Sequence, residues 1–254
     1  MNAALPGYAE LHCLSNFSFL RGASHPEELV QQAHTQGYAA LALTDECSLA
    51  GVVRAHVAAR EFGLKLIIGT EVRLASGIKL VLLAQDRVGY GHLSTLITRA
   101  RRRSTKGRYR LVMEDMEAGL PHCLALLIPR HDASDDAAAR WLARRFSGRA
   151  WIAVELLRGP NDRAALAALR ALSRRTGVPL VAAGDVHMHV RSRQPLQDTL
   201  TAIRLGKKVD ECGHALYPNA ERHLRARVQL AQIYPPALLA ETLHIVERCS
   251  FSLD

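Results

Sequence analysis

The chain has 254 residues, 48% of them hydrophobic, enough to bury a sizeable core without disulfide or metal staples. No apolar run approaches the roughly 18 to 20 residues that a membrane span requires, and the opening MNAALPGYAELH has no basic stretch leading into an apolar one, so neither a membrane nor a secreted protein is expected. The formal net charge is +9.

Apolar runs alternate with amphipathic segments along the chain. The first strand is expected over YAELHCL (8–14), followed by a helix that opens at Ser24-His25-Pro26 and runs to about Thr35, with Gly37 as its stop. Proline in a first turn and glycine past an end mark opposite helix termini. AALALTD (39–45) reads as a strand and 50–62 as a helix; KLIIGTEVRL (65–74) and IKLVLLAQ (78–85) read as strands, and 89–103 as a helix. CLALLIP (123–129), a helix at 135–146, WIAVELL (151–157), the helix NDRAALAALRALSRRTG and PLVAAGD (179–185) continue the alternation. Asn161 or Asp162 caps the last of these helices and Gly177 stops it. Helical spacing returns at 192–205 and 236–249. The strands are apolar at consecutive positions, which indicates burial on both faces and an α/β fold, open sheet or barrel. No low-complexity linker divides residues 1–254.

The five cysteines (Cys13, Cys47, Cys123, Cys212, Cys249) are odd in number and scattered, without a CxxC pair. That argues against a disulfide framework and a zinc knuckle, and a reducing cytoplasm is the expected compartment. The stretch RARRRSTKGRYR (99–110) holds seven basic residues and no acid: Arg99, Arg101, Arg102, Arg103, Lys106, Arg108 and Arg110. It suits a nucleic-acid or partner surface, or, more plainly, a solvated helix end favoured by the helix dipole and followed by a flexible loop.

In a parallel α/β barrel, functional groups gather at the C-terminal strand ends. His12, the Asp45-Glu46 pair, Glu71, Glu155, and Asp185 with His187 in GDVHMH all fall there. Carboxylates and imidazoles so placed can bind Zn²⁺ or Mn²⁺ and activate water. Each also has a structural reading: Asp45 as a turn cap, Glu71 in a cross-sheet pair, His12 as a satisfied core histidine.

Taken in order, LHCLSNFSFLRG, LALTDECSLAG, IIGTEVRL, LVLLAQDRVGYGHL and VAAGDVHMH resemble the motifs of the PHP (polymerase and histidinol phosphatase) domain. The likeness is greatest to the PHP domain that opens bacterial C-family DNA polymerases, relatives of the replicative α subunit. Within those, YAELHCLSNFSFLRGASHPEEL and GDVHMHVRSRQPLQDTLTAIRLGKKV resemble the error-prone, damage-inducible branch, the ImuC type. The resemblance implies a distorted (β/α)7 barrel spanning 1–254 as a single PHP domain. It also implies that 236–254 is a helix leading toward a polymerase core outside this chain, so that this chain alone extends no primer. Implied partners are that core, DNA, accessory mutagenesis proteins and the sliding clamp, with no membrane.

The substitutions within the motifs matter most. The family's HxH reads His12-Cys13-Leu14, its following acidic ligand falls on Arg21, its TDH reads Thr44-Asp45-Glu46, and the histidine opening its HLxLLA strand falls on Lys79. His12, Glu71, Asp185 and His187 keep ligand chemistry, and Glu46 could replace an imidazole with a carboxylate. Cys123 lies near another family ligand position, though a buried small residue is the simpler reading. The resemblance therefore implies a residual or relic metal site in which Arg21, and Lys79 with it, pairs with Glu71, Glu46 or Asp185. No metal is expected, or at most one Zn or Mn ion. The opposing expectation is a metal-dependent phosphoesterase, a 3′–5′ proofreading exonuclease or pyrophosphatase.

Overall fold

Seven strands make one sheet in chain order: β1 (Ala9–Cys13), β2 (Ala40–Leu43), β3 (Lys65–Arg73), β4 (Lys79–Ala84), β5 (Cys123–Ile128), β6 (Ala150–Val154) and β7 (Leu180–Ala182). The structure is a computed structural model and describes residues 5–254; the reading of the N-terminal stretch rests partly on residues 1–4, outside the described residues. β1–β2–β3 and β5–β6–β7 pair in parallel. β4 runs against both neighbours, which is where the barrel departs from an all-parallel one. Only residues 74–78 join β3 to β4, through a turn with Gly77 at φ 90°. A parallel crossover needs about a dozen residues or more. The sheet all but closes where Cys13 bridges Val186: Val186 N–H donates to the His12 carbonyl at 2.9 Å and Leu14 N–H to that of Val186 at 2.8 Å. The result is a distorted seven-stranded α/β barrel.

The helices are α1 (Pro26–Thr35), α2 (Val52–Phe62), α3 (Arg87–Arg102), α4 (Ser134–Arg145), α5 (Asp162–Thr176), α6 (Gln194–Leu205), α7 (Arg227–Ile233) and α8 (Pro236–Arg248). Most match the expected segments within a residue or two. The segment from 192 begins as a 3-10 turn over Arg191–Arg193 before α6, and Asn161 precedes α5 without a side-chain capping bond. At seven residues, α7 is too short to show a helical period. Several strands stop earlier than their apolar runs suggest: β2 at Leu43, β6 at Val154, β7 at Ala182. The polar residues that follow have left the ladder.

Alternate strand residues face opposite ways. Leu11, Ile67, Val81, Leu83, Leu126 and Trp151 belong to an inner cluster that no residue of α1–α7 joins. Leu41, Leu80, Leu82, Leu127 and Ile152 pack outward with helix residues such as Leu29, Leu93 and Leu142. The double-sided burial read from the sequence follows. α8 supplies Ile245 and Val246 to the inner cluster. Thr242 Oγ1 accepts the N–H of Ala9 at 3.1 Å and Lys65 Nζ donates to the Val246 carbonyl at 2.7 Å, so α8 lies across the floor, where β1 and β3 begin. The polar strand ends occupy the opposite mouth.

Candidate metal centre

The mouth is set by a buried carboxylate that no motif marks. Glu10 Oε1 accepts the N–H groups of Leu11 (3.1 Å), His12 (3.0 Å) and Gly184 (2.8 Å), while Tyr8 donates to Oε2 at 2.8 Å. It joins an irregular stretch of β1 to the loop after β7. A Cβ at Gly184 would lie 2.3 Å from Glu10 Oε2, so any larger residue there would displace the Glu10 carboxylate. Asp185 follows at φ 46°, in the left-handed region, where aspartate is tolerated better than most side chains.

From this frame His12, fully buried, places Nε2 2.8 Å from Glu71 Oε2 and Nδ1 2.8 Å from Glu155 Oε1. Arg21 Nη1 donates to Glu71 Oε1 and to Glu46 Oε2, both at 2.6 Å, and Nη2 to Glu71 Oε2 at 3.3 Å. Lys79 Nζ lies 2.9 Å from Glu71 Oε2 and 3.9 Å from Asp185 Oδ1. It reaches the mouth because β4 is reversed, which puts that strand's first residue where its neighbours end. Asp185 receives Arg222 Nε at 2.7 Å and has His187 Nε2 at 3.2 Å. Arg222 stacks on Tyr217 at 4.0 Å, and Tyr217 meets His187 edge-on.

Charges balance across the cluster. Glu46, Glu71, Glu155 and Asp185 face Arg21, Lys79, Arg222 and the His12 imidazole. Burial disfavours a charged His12, but the Glu155 and Glu71 carboxylates outweigh it and raise its pKa to about 9, so it is an imidazolium at neutral pH. Burial would likewise raise Glu71, yet Lys79, His12 and Arg21 hold it well below the carboxylate range. Lys79, His187 and Arg222 do the same for Asp185. For His187, burial is the largest influence, and the net shift is downward.

The other expected positions fall elsewhere. Leu14 is buried and has no lone pair to offer. Asp45 stands outside the ion-pair network and accepts Ser15 N–H (2.8 Å), Ser15 Oγ (2.7 Å) and Ser18 Oγ (2.7 Å), so it ties down the loop after β1 and does not cap the turn that follows it. Cys123 pairs with Ala84 at the far end of β4, toward the floor, and burial pushes its thiol up to about 12. Of the basic run, Arg103 and Arg99 pair with Asp115 at 2.7 and 3.6 Å. Arg101 points inward, while Arg102, Lys106, Arg108 and Arg110 are exposed. Sequence reasoning missed Glu10, Tyr109, Tyr217 and Arg222. Only Glu10 carried a signal, as a lone acid within an apolar strand.

His12, Glu71 and Asp185 each offer a ligand atom, all within 4.8 Å of one another, so three groups stand close enough to share an ion. The lone pairs that an ion would use are already engaged. Both Glu71 oxygens and both His12 nitrogens have charged partners, and an ammonium lies beside both Glu71 and Asp185. As arranged, the ligand atoms that an ion would use are met by cations carried by the chain itself.

The signature of the PHP domain matches residues 10–148. The chain is 60% identical, over 99% of its length, to an error-prone DNA polymerase of Dechloromonas aromatica, and covers 25% of that protein. It is 62% identical, over 97% of its length, to an error-prone DNA polymerase of Methylococcus capsulatus, and covers 24% of it. It thus spans about a quarter of the length of these curated relatives. Among solved structures, an amidohydrolase from Chromobacterium violaceum, with bound sulfate and no metal, matches with a TM-score of 0.54 at 18% identity, over 71% of this chain and 88% of that one. That likeness is one of fold. Among the described residues, no helix is long and apolar enough to cross a membrane.

Proposed function

The chain belongs to the PHP domain family, and from that premise we propose that it is the PHP domain of an error-prone DNA polymerase of damage-induced translesion synthesis, its metal site converted into a salt-bridged support. The reading is carried by Glu71, whose two oxygens receive Arg21, Lys79 and His12. A buried carboxylate needs a compensating positive charge. In a metal-dependent relative a divalent ion supplies it; here a guanidinium does. Arginine suits the role because its fork reaches Glu71 and Glu46 together and stays protonated when buried. Leu14, Arg21, Glu46 and Lys79 depart from the family's ligand pattern at four separate places, and Arg21, Glu46 and Lys79 join one ion-pair network.

On this reading the domain makes no metal-bound hydroxide and cleaves no phosphoester. It braces a cytoplasmic polymerase whose nucleotidyl-transfer residues lie in the rest of the polymerase, and its partners are that polymerase core and DNA. The sliding clamp and accessory mutagenesis proteins are reached through the whole polymerase.

The separation of His12, Glu71 and Asp185 favours a second reading, in which one residual Zn or Mn ion binds there and serves a phosphoesterase. Metal analysis of protein purified without chelator, before and after incubation with Zn²⁺ and Mn²⁺, separates the two. The expected content is far below stoichiometric in both samples. A tightly held ion in each chain would overturn the support reading and make 3′–5′ exonuclease and pyrophosphatase assays the next step.

A further inference from the structure

The basic run is not a loose loop. Arg101 turns inward, donating Nε and Nη2 to the Cys47 carbonyl at 3.2 and 3.1 Å and Nη2 to that of Glu46 at 3.2 Å. Its guanidinium lies over the Tyr109 ring at 5.5 Å. Tyr109 donates its hydroxyl to Glu46 Oε1 at 3.0 Å and accepts the N–H of Arg73 at 3.0 Å. Arg110 N–H closes the base of the arm on the Ala100 carbonyl at 3.1 Å. The other oxygen of Glu46 holds Arg21. Glu46 therefore ties the converted site to the arm. A histidine at that position has no pair of carboxylate oxygens with which to receive both groups.

What the arm presents outward is one sign of charge. Arg102, Lys106, Arg108 and Arg110 are exposed, and their side chains have no ion-pair partner among the described residues. A recess of about 500 Å³ on the outer face of α3, lined by Ser94, Thr95, Thr98, Arg99, Arg102 and Arg103, continues the surface. Holding the backbone that carries these groups in place beforehand reduces the ordering cost of binding, which a solvated helix end followed by a flexible loop would not do.

We propose that residues 99–110 form a preorganised arm that binds the phosphate backbone of DNA without reading its sequence, and that the Arg21–Glu46–Tyr109 chain of contacts holds the arm in place. The inference rests on the support reading of the site, since it assigns Glu46 to anchoring. Binding of the chain to a fluorescein-labelled DNA duplex, followed by anisotropy across a salt series, tests it. Replacing Arg102, Lys106, Arg108 and Arg110 with alanine should weaken binding by about tenfold or more and reduce the slope of log K against log salt by close to one per residue removed. Tyr109→Phe keeps every exposed cation, so it should weaken binding about threefold or more while leaving the slope near the parent value. Glu46→Gln should behave like Tyr109→Phe, and a thermal melt of each variant separates loss of anchoring from loss of fold. An unchanged affinity in the charge variant overturns the arm as a DNA site. A parent-like Tyr109→Phe, together with a weakened charge variant, overturns the anchoring. Metal content measured on the same samples keeps the two readings apart: metal-free protein that ignores DNA defeats only the arm, whereas a resident ion in protein that still binds DNA defeats the support reading and, with it, the assignment of Glu46 to anchoring.

Discussion

Arg21 keeps 17% of its side-chain surface exposed, whereas Glu71, its main partner, keeps 2%. Removing the arginine leaves a buried carboxylate to Lys79 and His12 alone. Arg21→Ala is expected to cost about 2–3 kcal/mol, toward the low end for a broken buried pair because the guanidinium is partly solvated. For a chain of this length that lowers the melting midpoint by roughly 5–10 °C. Arg21→Lys should recover only part of it, since an ammonium has no planar fork to span two carboxylates. A parent-like melt for Arg21→Ala would show that the pair contributes nothing. His12 makes a second, independent prediction. Its pKa rises on folding, so its contribution to stability is complete below its ordinary 6.5 and is lost as pH climbs through about 9. Glu71 and Asp185, both depressed despite burial, contribute above their ordinary 4.5 and 3.8 and lose that contribution as pH falls. Stability should therefore be highest between about pH 4.5 and 6.5 and fall toward pH 9. In His12→Gln the alkaline decline should flatten, and an identical decline in both proteins would assign it to other groups.

The loop after β7 depends on one close approach. Alanine at Gly184 would push its Cβ to within 2.3 Å of Glu10 Oε2. The carboxylate must then abandon the Gly184 N–H, and Asp185 and His187 lose their frame. Gly184→Ala should destabilise the chain by about 2–3 kcal/mol in urea titration, a strain and unsatisfied-donor effect combined. Ser15→Ala, which removes one of several bonds to Asp45, should cost no more than about 1.5 kcal/mol. Equal losses in the two variants would argue against a special role for Gly184. This frame was the least legible part of the sequence, because it consists of one acid gripping backbone amides far away in the chain. The seven strands and most helices were legible, since apolar runs and glycine stops are local signals. The reversal of β4 was legible too, in the short gap between two strands. Arg222 and Tyr217 were not, because they follow no motif and reach the mouth only through the folded path after α6.

At the scale of the whole barrel, the mouth works as one charge-balanced unit, and that decides what reversion can achieve. Four carboxylates, from β2, β3, β6 and β7 or the loops that follow them, meet four positive groups from β1, β4 and two loops. Changing one member leaves an uncompensated charge rather than a ligand. Arg21→Asp alone adds a further acid beside Glu71 and Glu46, so it should destabilise the chain and still bind no stoichiometric metal. Lys79→His alone leaves Arg21 on Glu71 and should fare no better. Only the concerted set, Leu14→His with Arg21→Asp, Glu46→His and Lys79→His, exchanges the attached cations for donors and calls for an ion to restore neutrality. That variant should be unstable without metal and regain stability with added Zn²⁺ or Mn²⁺, by the linkage that couples binding to folding. Thermal melts with and without each ion, alongside isothermal titration, measure it. If the parent gains as much stability from metal as the concerted variant does, the attached cations were never substitutes for an ion, and the ancestry of the site in a metal centre would have to be argued from its fold alone.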